Sequence, residues 1–303
     1  MNVSSQTNTH KSLIGLGQRP KRVRQFITHK AASEHVASVL RSGAIPWKNE
    51  IVNDANSGLP LSVATRRTHS PINTLLLQVA ARKHGFAGRW WGTRSNWKEL
   101  GGRIDEAKEP TFVFEQWTPL EVFCVDQASG ASINAFRVSD NSLITVNEAN
   151  FSLIERLVEK SGADVRVGVG DENHSVLGDW YVAPNPWNAF PFHSSGDYIL
   201  LQRPELRSSI ASHHYTLLHE FVHWSEVRTD WIDEMHLREF VAEIGSGWLA
   251  SELGCPPCHC RISHDKHLER WLSEMRKDPD YLFRAVRQAR RAIEFLVSIV
   301  EGE

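Results

Sequence analysis

The pentapeptide His219-Glu220-Phe221-Val222-His223 constrains this chain more than any other stretch. Read as a helix, it stacks the two histidines one turn apart on a single face, where both imidazoles reach one cation. Glu220, beside them, reaches a water in the position the protein leaves open. The neighbours Leu217, Leu218, Phe221, Val222 and Trp224 are apolar, which places the histidines in a buried wall. Two histidines on a solvated face are the plain alternative, and this apolar surround argues against it.

The spacing is the HExxH pattern of zinc peptidases, and a catalytic zinc site needs a third protein ligand with one position left vacant. A short turn at 229–233 leads into a second expected helix over 234–253, with Phe240, Val241, Ile244, Trp248 and Leu249 inward. Glu239 and Glu243 lie one turn apart on it, where two like charges repel unless a cation is near. They are the third-ligand candidates, one as ligand and the other as a carboxylate behind it. Two solvated glutamates are the alternative.

The rest of the chain supplies a frame for this site. At 303 residues, with 41% hydrophobic and 23% charged residues, it has globular composition and room for two domains. No apolar run approaches bilayer length and the start lacks a secretory core, so a soluble cytoplasmic protein without membrane contacts is expected. Cys124 stands apart, while Cys255, Cys258 and Cys260 cluster, too few and too bunched for a disulfide framework. The cluster reads as a loop, or, with His264 and His267, as a second metal site or a redox pair.

Residues 1–30 form a basic arm with Lys11, Arg19, Lys21, Arg22, Arg24 and Lys30 and no acid. Such an arm suits a polyanion, an organelle-targeting segment or a solvated tail. A first domain over 31–132 then opens with a helix at 31–41, closed by Gly43, and an extended turn at Ile45-Pro46-Trp47. A second helix starts from a capping Ser70 with Pro71 at its first position and ends at Gly85. Strands follow at 111–117 and 121–126.

Around that second helix the sequence is basic and aromatic: Arg66, Arg67, Arg82, Lys83, Arg89, Trp90, Trp91, Arg94, Trp97 and Lys98. Cations track a phosphate backbone while flat rings stack on unpaired bases, as a single-strand surface requires. The chain's 11 tryptophans equally suit a core, with the arginines as its solvated face.

A second domain over 140–303 is expected to start with a helix over 146–160, then strands at 163–169, 178–183 and 197–202 ahead of the HExxH helix. The strand at 197–202 reads as an edge that receives a substrate backbone, or as a simple cover for the metal helix. Two amphipathic helices, 265–276 and one from Pro279 through Ile299, complete the chain.

The chain as a whole resembles the ArdC antirestriction family, whose first domain is shared with TraC-type plasmid primases. The resemblance rests on Ser42 to Trp47, Pro71-Ile72-Asn73 with Leu75 to Leu77, Trp91-Gly92-Thr93 with Trp97, Leu100-Gly101-Gly102, and Val122-Phe123 with Gln127. Further on it rests on Asp197-Tyr198-Ile199, His219 to Trp224, Glu239 to Glu243 and the terminal helices. Two departures are Cys124, where the family usually has asparagine, and Thr68-His69-Ser70, where tyrosine and glycine are common.

The resemblance implies an α+β protein: a small α+β single-stranded-DNA-binding domain followed by a zincin-like metallopeptidase domain, a small sheet with an HExxH helix bundle. It makes the basic aromatic segment a DNA surface. The expected site is then one Zn2+, or another divalent cation, held by His219, His223 and Glu239, with Glu220 as catalytic base and Glu243 accepting the other ring proton of a ligand histidine. Tyr215, His213, His214, Tyr198 and His236 are candidate oxyanion donors. The expected partners are single-stranded DNA and a protein or peptide substrate.

Overall fold

A computed structural model describes residues 28–47, 58–115, 118–137, 151–168, 179–183, 196–255 and 264–302. The arm at 1–27, the expected helix start at 146–150, the turns at 185–186 and 194–195, and Cys258 and Cys260 lie outside the described residues.

The N-terminal part is built from α1 (His29–Arg41), β1 (Leu61–Ser62), α2 (Pro71–His84), β2 (Trp90–Gly92), α3 (Arg94–Glu99), β3 (Arg103–Ile104), β4 (Thr111–Glu115), β5 (Thr118–Cys124) and β6 (Ala128–Ser129). One sheet runs β1-β2-β5-β4, parallel only between β1 and β2, and β3 pairs with β6 in a separate ribbon. Helix α1 begins earlier than its apolar spacing suggests because Thr28 caps it, accepting from Ala31 N at 3.2 Å. Ser70 sits before α2 without a side-chain cap; Thr74 instead turns its hydroxyl back to His69 O at 3.1 Å. Asn73 closes a two-way clasp with β4, donating to Phe114 O and accepting from Phe114 N, both at 2.8 Å.

The C-terminal part contains α4 (Ser152–Ser161), β7 (Asp164–Val167), β8 (Trp180–Val182), β9 (Tyr198–Leu201), α5 (Ile210–Arg228), α6 (Met235–Glu252), α7 (His264–Lys277) and α8 (Asp280–Glu301). Strand β9 is the centre of a β7-β9-β8 sheet, parallel to β7 and antiparallel to β8. It therefore corrects the expectation of an edge at 197–202. Ile199 and Leu201 are buried, and a strand covered and paired on both sides reads apolar for that reason. Among the described residues the edge nearest the metal helix is β8.

Among the described residues the buried side chains gather in two cores. The smaller gathers Leu77, Trp91, Trp97, Val122, Phe123 and Ile133 under the N-terminal sheet. The larger ignores the division drawn at 132–140: Val36 and Leu40 of α1 and Leu75, Leu76 and Val79 of α2 pack with Phe221, Phe240, Trp248, Trp271 and Leu296. An amphipathic stripe records that a face is buried, not which element buries it. Polar bonds cross the same seam, from Trp248 Nε1 to Gln78 Oε1 at 2.6 Å and from Leu59 N to Glu252 Oε1 at 3.0 Å. No helix among the described residues is long and apolar enough to cross a membrane.

Candidate metal centre and nucleic-acid surface

Helix α5 starts at Ser209, whose hydroxyl accepts from Ser212 N at 3.1 Å, and from Tyr215 to Glu226 every residue is buried. A helix sealed all round must satisfy its polar side chains internally. His219 and His223 do so towards α6, with Nε2 of His219 3.6 Å and Nε2 of His223 3.5 Å from the two carboxylate oxygens of Glu239. One ligand atom from each of the three residues lies within 4.8 Å of the others.

Those separations suit a shared ion. Ligands about 2.0–2.1 Å from a tetrahedral cation stand about 3.4 Å apart, close to the two His–Glu distances. Two imidazole nitrogens and one carboxylate form a donor set for zinc and related divalent ions. The Nδ1 atom of His219 is buried without a hydrogen-bond partner among the described residues. Glu220, 5% exposed, shares this chamber.

Electrostatics follow from packing these groups together. Burial disfavours charge on His223, but Glu226 and Glu239 outweigh it and lift its pKa to about 9. Burial would raise the Glu239 carboxyl, yet His223 and His219 hold it well below the usual range. Burial pushes Glu220 up, with the two histidines opposing and Glu239 and Asp179 adding to the rise. His219 is raised because Glu239 and Glu220 overcome its burial and the repulsion of His223.

The carboxylate against the His223 ring is Glu226, not the expected Glu243. Nδ1 of His223 lies 2.8 Å from Glu226 Oε1, and Arg238 fixes the other oxygen at 2.6 Å and 2.8 Å. Glu243 is 1% exposed and acts with burial to raise the Tyr215 phenol. Sequence reasoning missed Glu226 and Arg238, although Glu226 stands three residues after His223 and Arg238 immediately before Glu239. Of the oxyanion candidates, His214 stacks on Phe151 at 4.2 Å, His236 Nδ1 meets His267 Nδ1 at 3.2 Å, and Tyr215 is in the core.

The basic aromatic segment divides into two sets. Trp91 and Trp97 are 1% and 0% exposed, and Trp97 Nε1 donates to Phe123 O at 3.0 Å, so both are core residues and not stacking platforms. Arg89 and Arg82 turn inward to the carbonyls of Leu59 and Ile45. Arg94 donates to the carbonyls of Ile104 and Asp105 and covers the Phe123 ring at 4.4 Å. Arg66, Arg67, Lys83 and Lys98 are exposed, and Trp90 is half-buried against Phe136. Cys124 is buried, its thiol donating to Gly88 O at 3.3 Å.

An HExxH helix, a third carboxylate from the next helix and a small sheet beside them define a zincin-like domain, here joined to an N-terminal α+β domain. Residues 185–288 match the model of the zincin-like metallopeptidase family, and residues 27–129 match that of the N-terminal domain of anti-restriction factor ArdC. In both domains the chain is therefore similar to the ArdC-like antirestriction proteins. Its fold is that of the antirestriction ArdC protein from plasmid R388. The Mn(II)-bound crystal structure of that protein is 22% identical, with a TM-score of 0.64 over 90% of this chain and 97% of that one. Its metal-free structure is 21% identical, with a TM-score of 0.69 over 91% and 99%. A DNA primase TraC from Escherichia coli is 22% identical over 91% of this chain, which spans only 27% of that primase.

Proposed function

We propose that this chain is a single-stranded-DNA-binding, zinc-dependent metallopeptidase of the cytoplasm that protects incoming mobile-element DNA from restriction. The convergence of His219, His223 and Glu239 beside the buried Glu220 carries the reading.

His219, His223 and Glu239 would hold the ion, which when bound polarises a scissile carbonyl and acidifies a water. Glu220 takes the proton of the attacking water and returns it to the departing amine. Glu226 fixes the His223 ring through Nδ1, so that Nε2 keeps its lone pair for the ion, and Arg238 holds Glu226 in place. The open side of β8 suits a peptide laid antiparallel as an added strand, since β8 pairs only with β9 among the described residues. Arg66, Arg67, Lys83 and Lys98 meet phosphates, and Trp90 offers a ring to a base.

Glu220→Gln tests the catalytic part. The variant should bind metal as the wild type does and cleave nothing; cleavage at the wild-type rate would end the assignment.

The shared core favours a second reading, in which the metal site is structural and the protein shields DNA without proteolysis. Helix α6 carries Glu239 and is bonded to α2 through Trp248 and Gln78, so the metal helices also brace the N-terminal domain. Under that reading DNA protection survives Glu220→Gln and is lost when Arg66 and Arg67 are removed.

A further inference from the structure

We propose that the nucleic-acid surface continues from the N-terminal domain onto α8, where Arg287 and Arg291 bind phosphates of the same single strand that passes Arg66 and Arg67. This rests on the single-stranded-DNA reading above.

The joint is Arg290. Its guanidinium donates to Thr68 Oγ1 at 3.4 Å, His69 O at 3.3 Å and Thr74 Oγ1 at 3.0 Å, and it lies 5.5 Å from the Trp248 ring centroid. A mostly buried cation spent on two hydroxyls and a carbonyl ties the turn before α2 to the middle of α8. Just before that tie sit Arg66 and Arg67, both exposed. Arg66 is held in the left-handed region at φ 58, with its N–H bonded to Ser62 O at 2.9 Å. Its guanidinium covers Phe136 at 4.7 Å and Trp90 at 5.2 Å, beside rings on which a base can stack.

Arg287 and Arg291 flank Arg290 on α8, and both are exposed. Helical rise sets them about 4.5 Å and about 1.5 Å along the axis from the joint. They stand four residues apart on one face, where like charges repel. Neither they nor Arg67 forms an ion pair among the described residues; the nearest acid along the helix is Glu294, whose charge acts on Arg290. Four cations without an ion pair among the described residues, two on each side of a fixed joint, suit the phosphates of a polyanion. Helix α8 also packs on α5 and α6, the helices that carry the proposed metal ligands.

The test is the salt dependence of binding to a fluorescent oligothymidylate by full-length protein. Each phosphate contact on a single strand contributes a slope of about 0.7 in log affinity against log salt. R287A/R291A should bind with a slope shallower by about 1.4 and about 25-fold more weakly at ~0.1 M salt. R287K/R291K should restore the wild-type slope. The single variants R287Q and R291Q, each expected to lose about 0.7 of slope, carry the test if the double variant is unstable. If R66A/R67A weakens binding while R287A/R291A keeps the wild-type slope, α8 is a solvated face and the inference is overturned. If the wild type binds no oligonucleotide, the single-stranded-DNA reading itself fails and takes this one with it.

Discussion

Nδ1 of His223 sits 2.8 Å from Glu226, and Arg238, one residue before Glu239, grips the far oxygen of the same carboxylate. Helices α5 and α6 thus meet in a buried ion-pair relay behind His223. This arrangement orients the imidazole without solvent and ties the position of Glu239 to that of His223.

Glu226→Gln should therefore weaken metal binding by about 10–100-fold, the usual cost of losing a carboxylate behind a ligand histidine. Competition with a chromophoric chelator reads this directly. Wild-type affinity in Glu226→Gln would remove the relay from the account.

Protons and metal compete at this site, with a calculable sign. His223 is raised to about 9 in the folded protein against 6.5 ordinarily, so its contribution to stability is complete below pH 6.5 and is lost as pH rises through 9. His69 and His214 run the other way: burial lowers each to about 4, so stability present above pH 6.5 is lost as pH falls through 4. The melting temperature of chelator-treated protein should fall on both sides of neutrality. Metal, which requires a neutral His223, should remove the alkaline fall and leave the acid one. An alkaline fall undiminished by metal would contradict the assignment of His223.

Trp97→Ala should destabilise the fold by about 3–5 kcal/mol, as truncation of a buried tryptophan does, and urea unfolding measures it. Lys98→Ala, at an exposed neighbour, should change stability by less than about 0.5 kcal/mol and lower only the salt-dependent part of DNA binding. Equal stability of the two variants would return Trp97 to the surface.

Those neighbouring residues also show what could be read in the chain. HExxH was legible because helical spacing is local, and Glu239 because it falls on the next helix. Trp97 and Lys98 look alike in a basic aromatic stretch, since composition does not say which face a residue takes; only the Phe123 carbonyl that receives the indole N–H decides it. Glu226 was overshadowed by Glu243, whose partner depends on how α5 and α6 cross. The central place of β9 and the joining of α1 to the larger core come from non-local pairing, which no spacing encodes.

Asn73→Ala should cost about 1–3 kcal/mol, because the N–H and carbonyl of Phe114 lose their side-chain partner. Its signature is local: amide exchange should quicken in β4 and at the start of α2 while that of α5 is unchanged. Uniform loss of protection across the molecule would show that the clasp is not the local joint described.

The central claim is that His219, His223 and Glu239 share one divalent ion. Equilibrium dialysis against zinc, with metal content per chain measured for wild type, Glu220→Gln and Glu239→Ala, tests it most directly. The account predicts one equivalent for wild type and Glu220→Gln, and its loss in Glu239→Ala while the fold is kept. A full equivalent retained by Glu239→Ala at wild-type affinity would contradict it.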